Sequence, residues 1–313
     1  MVRFFGFLVG LVFVGVAAWS LGWGLYAYAT QPREENLTHE FHVAPRNVSF
    51  SFEGPFGEYD RQQLQRGLQV YKEVCSSCHA LSLVAFRNLE ELGYGEPEVK
   101  AIADQWQIEV PDVDPKTGEA STRKAIPADH FPSPYPNEVA ARAANNNAMP
   151  PDLSLIAKAR EGGPAYVYSL LTGYRDPATY KNEEGKAVPA DVRPGPNLHF
   201  NPYFPNLNLA MPPPLQSDGQ VTYAEGNPAP TVDQMAKDIS AFLAWTAEPR
   251  LENRHRAGLA TLAFLIFATV LAYLAYQNIW HGGASRRVRV TGPLEPDNMA
   301  KRDAASDEAG VNR

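Results

Sequence analysis

The sequence predicts a mainly α-helical exported domain with long proline-rich connections, followed by a transmembrane helix. Three observations carry that expectation. Apolar residues recur at helical spacing in several stretches, whereas no alternating run is long enough for a substantial sheet. The 313 residues include 27 prolines, well above the usual share of about 5%. Two long uncharged apolar runs bracket the middle of the chain, each long enough to cross a bilayer that needs about 20 residues.

The first run, Phe4 to Ala29, follows the lone basic Arg3. Phe4–Val16 has the length of a signal h-region, and Ala27-Tyr28-Ala29 is an Ala-x-Ala site that would leave Thr30 as the first mature residue. The alternative is a retained membrane segment. Either reading sends the following residues across a membrane, so 1–29 form one unit and 30–250 the exported domain.

Within that domain, Asp60 is placed to cap a helix whose Leu64, Leu68, Tyr71 and Cys75 share one face. Pro164 suits a first helical turn, with Gly173 as its stop. Thr231-Val232-Asp233-Gln234 has the form of a capping box, Met235, Ile239 and Phe242 follow on one face, and Pro249 ends that helix. Pro194-Gly195-Pro196 and Pro212-Pro213-Pro214 read as rigid loops inside the domain. The second apolar run, Ala257 to Ile279, lies between Arg254, His255 and Arg256 on one side and Trp280, Arg286, Arg287 and Arg289 on the other. It predicts a transmembrane anchor over 251–280, with 281–313 as a short polar tail.

The chain has 28 basic and 35 acidic residues, a formal charge of −7. The exported domain alone has 19 Lys and Arg against 29 Asp and Glu, a net of −10. That balance argues against a nucleic-acid binder and for a partner with a basic face. Two cysteines are too few for a disulfide scaffold.

Those two cysteines form Cys75-Ser76-Ser77-Cys78-His79, the covalent haem attachment pattern. Cysteines three positions apart can add to the two vinyl groups of one haem, and the next residue brings its imidazole under the iron. The second ring nitrogen of His79 should then donate to a backbone carbonyl. A zinc site would need two further ligands, a thioredoxin-like pair a βαβ setting, and an ordinary disulfide is the plain alternative. Export and the adjacent histidine favour one haem c. For a sixth ligand, a methionine thioether suits a high-potential carrier. Met149 and Met211, both in Ala-Met-Pro-Pro, remain open on spacing alone, whereas Met235 is placed in a helix core.

Several stretches together resemble the cytochrome c1 family of the cytochrome bc1 complex. They are Cys75–His79, Arg142-Ala143-Ala144-Asn145-Asn146, Pro150-Pro151-Asp152-Leu153-Ser154, Arg160 with Gly162-Gly163, and Tyr166 with Leu170-Leu171-Thr172-Gly173-Tyr174. Further along the chain they are Phe200-Asn201-Pro202-Tyr203-Phe204-Pro205, Ala210-Met211-Pro212-Pro213-Pro214, Trp245-Thr246-Ala247-Glu248-Pro249 and the C-terminal apolar run. The match covers roughly residues 40–285 and implies a cytochrome c-like haem domain. By that resemblance His79 and Met211 are the iron ligands, Cys75 and Cys78 hold the haem, and Arg160 and Tyr166 lie near its propionates. No functional residue is carried over for 107–130 and 175–199, where the family varies in length.

The resemblance further implies an electron-transfer subunit of ubiquinol–cytochrome c reductase, with no bond-making catalytic site of its own. It would take an electron from the Rieske iron–sulfur protein and pass it to cytochrome c. Cytochrome b would be a further partner, in a complex expected to be dimeric in the bacterial inner membrane with the haem domain periplasmic. The alternatives are a membrane-anchored c-type cytochrome of another assembly, or a haem enzyme or gas sensor with an open sixth position.

Overall fold

The computed structural model describes residues 2–30, 37–190 and 192–280, with 300, 301 and 304 besides. The tail assigned to 281–313 therefore lies almost wholly outside the described residues. Helix α1, Val2–Thr30, is apolar and its side chains are exposed along nearly its whole length. The short helix α2, Leu37–Phe41, leads into an irregular stretch. Helix α3, Arg61–Val70, begins at the expected cap, where Asp60 Oδ1 accepts from the amides of Gln62 (3.0 Å) and Gln63 (3.2 Å). A 3₁₀ segment, Phe86–Leu92, precedes α4, Glu96–Asp104. Then come α5, Glu138–Ala144, α6, Ile156–Ala159, and α7, Gly163–Thr172, which opens with Pro164 and ends at Gly173 as the sequence predicts. Helix α8, Val232–Ala247, and helix α9, Leu251–Trp280, close the described part.

Strand structure among the described residues is slight, in keeping with the mainly helical expectation. β1, Val110–Val113, pairs antiparallel with β2, Ala120–Arg123, and β3, His199–Phe200, with β4, Asn208–Leu209.

The architectural centre is the contact between α3 and α8. Gly67 brings the two backbones together: a Cβ there would lie 2.3 Å from the Asp238 carbonyl oxygen and 2.5 Å from Phe242 Cβ. Beside it the fully buried Asp238 takes a two-pronged contact from Arg66, Nε to Oδ2 at 2.9 Å and Nη2 to Oδ1 at 3.2 Å. Gln63 and Gln234 also donate to Asp238 Oδ1, and Arg66 Nη1 reaches Asn227 Oδ1 at 3.1 Å. A buried carboxylate supplied with this many donors is compensated for its lost hydration. Gln234 is therefore spent on Asp238, and of the expected capping box only one half forms, Thr231 Oγ1 accepting from the Gln234 amide at 3.1 Å.

Around the joint lies one aromatic core. Tyr71 meets Trp106, Phe131 and Phe242 at ring-centroid distances of 6.3, 6.1 and 6.0 Å, and Phe86 packs on Phe131 at 4.3 Å. A satellite cluster of Phe41, Val188, Phe200 and Leu207 sits under the loops that lead to Met211.

Helix α9 starts on the domain: Leu251 is buried, and Glu252 accepts from the Tyr59 amide (3.0 Å) and pairs with Arg61 (3.0 Å). From Ala257 onward it is uncharged and exposed, and it is long and apolar enough to cross a membrane, as is α1.

Replacing Gly67 with Ala should force α3 and α8 apart. Overpacking of this kind costs about 1–3 kcal/mol, and urea unfolding should show a lower midpoint at unchanged slope. An unchanged midpoint would mean that the close approach does not constrain the fold.

Candidate haem site

The chain reaches Cys75 through a change of helical pitch. After Val70, α3 widens into a π turn over Tyr71–Cys75, closed by the Ser76 amide donating to the Tyr71 carbonyl five residues earlier (2.8 Å). A tight turn follows, with the amides of Cys78 and His79 both donating to the Cys75 carbonyl at 3.1 and 2.9 Å. Such π turns concentrate at functional sites because they re-aim the residues that follow. The continuous α-helical face expected from Leu64 to Cys75 thus holds to Tyr71 and is then rotated.

The two thiols are free and both are part-buried. Burial, with the Cys78 charge adding to it, pushes the Cys75 thiol up to about 12, so it is neutral at physiological pH. Cys78 lies beside the Tyr135 side chain, whose hydroxyl accepts from Asn145 Nδ2 at 2.9 Å.

His79 is held by the Pro150–Ser154 stretch. Its Nδ1 stands 2.7 Å from the Pro151 carbonyl oxygen. A carbonyl can only accept, so the proton is on Nδ1 and the lone pair on Nε2. Burial lowers the imidazole below its ordinary value, against smaller raising effects of the Pro151 carbonyl and Asp152, which keeps the ring neutral. The same two segments are laced together further on. The Leu153 amide donates to the Ala80 carbonyl (2.9 Å), Ser82 donates to Asp152 Oδ2 through its amide (2.9 Å) and hydroxyl (2.6 Å), and the Leu83 amide donates to Ser154 Oγ (3.1 Å). Burial opposes ionisation of Asp152, but its hydrogen bonds from Ser154 and Ser82 hold the carboxyl below its ordinary value.

The stretch that supplies Pro151 is delivered by α5 and an asparagine turn. Arg142 Nη1 donates to the Asn147 carbonyl (2.9 Å), and Asn146 and Asn147 take φ of 51° and 65°, the left-handed region that asparagine tolerates better than most residues.

Met211 follows β4 directly. Its carbonyl accepts from the Tyr174 hydroxyl at 3.1 Å, and its side chain is part-buried, whereas Met149 is 47% exposed. Tyr174 stands near the buried Tyr166, and Tyr166 near the exposed Arg160. Arg160, Tyr166 and Tyr174 are thus neighbours on and around α6 and α7, and of the three Tyr174 is bonded to the Met211 backbone. Tyr174 and Tyr135 are the members that sequence reasoning assigned no role. Nothing local marks Tyr135, while Tyr174 stands inside a quoted family stretch.

The donor set fits a covalently held haem. Two unpaired thiols sit three residues apart, and the next residue is a neutral imidazole with a free Nε2 lone pair and its other nitrogen anchored. Among the described residues no group of three or more His, Cys, Asp or Glu side chains is placed to hold a metal ion, so a zinc site lacks its further ligands.

The Cytochrome C1 family model matches residues 50–282 of the chain. The chain belongs to the cytochrome c1 family. It is 45% identical to cytochrome c1 of Rhodospirillum rubrum over 243 residues, which covers 76% of this chain and 88% of that protein. To cytochrome b/c1 of Bradyrhizobium diazoefficiens it is 47% identical over 248 residues, 75% of this chain but 35% of that longer protein. To the mitochondrial cytochrome c1 heme protein of Saccharomyces cerevisiae it is 40% identical over 289 residues, 91% of this chain and 88% of that protein. The site residues from Cys75 to Met211 all fall within the matched stretch 50–282.

Replacing Asp152 with Ala removes the acceptor of three hydrogen bonds and should free the Pro151 carbonyl from its register with His79. Hydrogen bonds to a charged group are worth roughly 1.5–3 kcal/mol, so exchange of the Ser82 and Ser154 amides should quicken by at least tenfold. Unchanged exchange would show that the backbone bonds alone hold the ladder.

Proposed function

We propose that this chain is a membrane-anchored electron carrier of a cytochrome bc1 complex, holding one haem c through thioethers to Cys75 and Cys78. The observation that carries this reading is the orientation of His79. Its Nδ1–H is committed to Pro151, which leaves Nε2 as the one ring position free for iron.

Bound haem supplies an iron that alternates between ferric and ferrous states by one electron. The chain's own residues do the rest. His79 through Nε2 and Met211 through its thioether would hold the iron, leaving no place on it for a substrate. Pro151 fixes the imidazole orientation and raises its basicity as a ligand. Tyr174 holds the Met211 backbone, and the prolines after it, pinned by Gln216 Nε2 to the Pro213 carbonyl and Gln220 Nε2 to the Pro214 carbonyl, limit its movement. Arg160 and Tyr166 would pair with the propionates. The Tyr71–Trp106–Phe131–Phe242 core excludes water from beneath the attachment segment.

The electron enters from a Rieske iron–sulfur protein and leaves to cytochrome c, one electron in and one out. Membership of the family supports cytochrome b and the Rieske protein as neighbours, and the name of the Bradyrhizobium relative joins b and c1 in one protein. Helix α9 is the anchor and the haem domain faces the periplasm, where covalent haem attachment takes place; Arg286, Arg287 and Arg289 then remain inside. The exposed Glu90, Glu91 and Glu96 offer an acidic face to a basic partner, whereas Glu98 is spent on the Gly95 amide and Asp112 on Arg123.

Carbon monoxide tests the closed coordination sphere. The ferrous wild-type protein should not bind it rapidly at neutral pH. Met211→Leu should bind it, lose the sulfur-to-iron charge-transfer absorption and drop in potential with the haem still attached, while Met149→Leu behaves as wild type. Rapid binding by the wild type would point to a haem enzyme or sensor, and a response only to Met149→Leu would move the ligand to that residue.

A further inference from the structure

The turn Gly54-Pro55-Phe56-Gly57 has no part in the haem site, yet it is built with care. The Gly57 amide donates to the Gly54 carbonyl at 3.3 Å and the Glu58 amide to the Ser51 carbonyl at 3.2 Å. Gly54 sits at φ 79°, and a Cβ on Gly57 would lie 2.2 Å from the Phe52 carbonyl carbon, so the turn admits only glycine there. Its base is anchored inward by Phe50 and Phe52, which are buried and stacked at 5.2 Å. Its tip is Phe56, 80% exposed.

The segment leaving this turn is fastened to the first turns of α9. His255 Nδ1 stands 3.3 Å from the Gly57 carbonyl, Arg256 pairs with Glu58 at 3.1 Å, and Glu252 accepts from the Tyr59 amide and pairs with Arg61. Arg256 is the last charged residue before the uncharged run 257–279. The tip of the turn is therefore held beside the place where the helix passes from polar to apolar.

We propose that Phe56 is set into the lipid headgroup interface beside the outer end of α9, making the 54–57 turn a second point of membrane contact that fixes the height of the haem domain over the bilayer. This rests on α9 being the membrane anchor. Residues 53–58 are otherwise Glu, Gly, Pro, Gly and Glu, so the ring is not part of a broad apolar patch of the kind a protein partner covers. A single aromatic ring on a rigid polar turn at the mouth of a span matches the interfacial role that aromatic side chains take at membrane surfaces.

The test places the photoreactive residue p-benzoylphenylalanine in the full chain, in its own membrane, at one of three exposed sites: Phe56, Ile266 in the middle of α9, or Val113 on the β1–β2 hairpin. After irradiation, intact mass is read for each. Phe56 and Ile266 should both gain the mass of one phospholipid, and Val113 should not. A protein crosslink at position 56 without lipid would mean that a neighbouring subunit covers the ring and would overturn the proposal. So would the absence of any adduct there while Ile266 gains lipid, and in both cases the anchor stands. No lipid on Ile266 would instead remove the anchor reading itself.

Discussion

The structure depends on the buried joint between α3 and α8. Gly67 permits the backbones to touch, and Asp238, fully buried, gathers Arg66, Gln63 and Gln234 around one carboxylate. Removing one member of such a pair leaves an uncompensated charge in the interior, at a cost of about 3–5 kcal/mol. The joint is more than local stability, because each helix runs on into a functional segment. Helix α3 continues into the π turn that carries Cys75, and α8 is followed within a few residues by α9. The Cys75–His79 segment and the long apolar helix are thereby referred to the same crossing.

From that crossing the site is assembled by contacts between segments about 70 residues apart. The Cys75–His79 turn fixes its own backbone, but the direction of the imidazole comes from Pro151, and Pro151 is held in place by Asp152, Leu153 and Ser154 bonding back to residues 80–83. Short hydrogen bonds between two otherwise irregular segments take the part that a helix or sheet plays in other sites. This explains how a proline-rich chain positions reactive groups: its loops are laced to one another, and an aromatic core lies beneath them.

Helix positions were legible where one face is apolar and a start signal is present, a side-chain cap at Asp60 and Thr231 and a first-turn proline at Pro164. The haem motif was legible because its spacing answers to the size of the cofactor. What the sequence concealed was non-local. The Ser154 amide donates to Asp152 Oδ1 in a local turn, but that Asp152 should also clasp Ser82 follows only from the folded chain. Likewise the capping-box pattern at Thr231 could not reveal that Gln234 would be drawn off to a buried aspartate in the same helix. The pitch change after Val70 has no signature in residue type, since Tyr71 and Cys75 would suit an ordinary α-helix equally well. Met149 and Met211 have the same neighbours in sequence, so the preference for Met211 rests on the family pattern.

The most direct test is the intact mass of the protein purified from its own membrane, measured after acidic organic extraction and treatment with a thiol alkylating reagent. The chain should carry the mass of one haem, retained through extraction, with neither Cys75 nor Cys78 alkylated. A chain that loses its haem on extraction and gains two alkyl groups would contradict covalent attachment at this site.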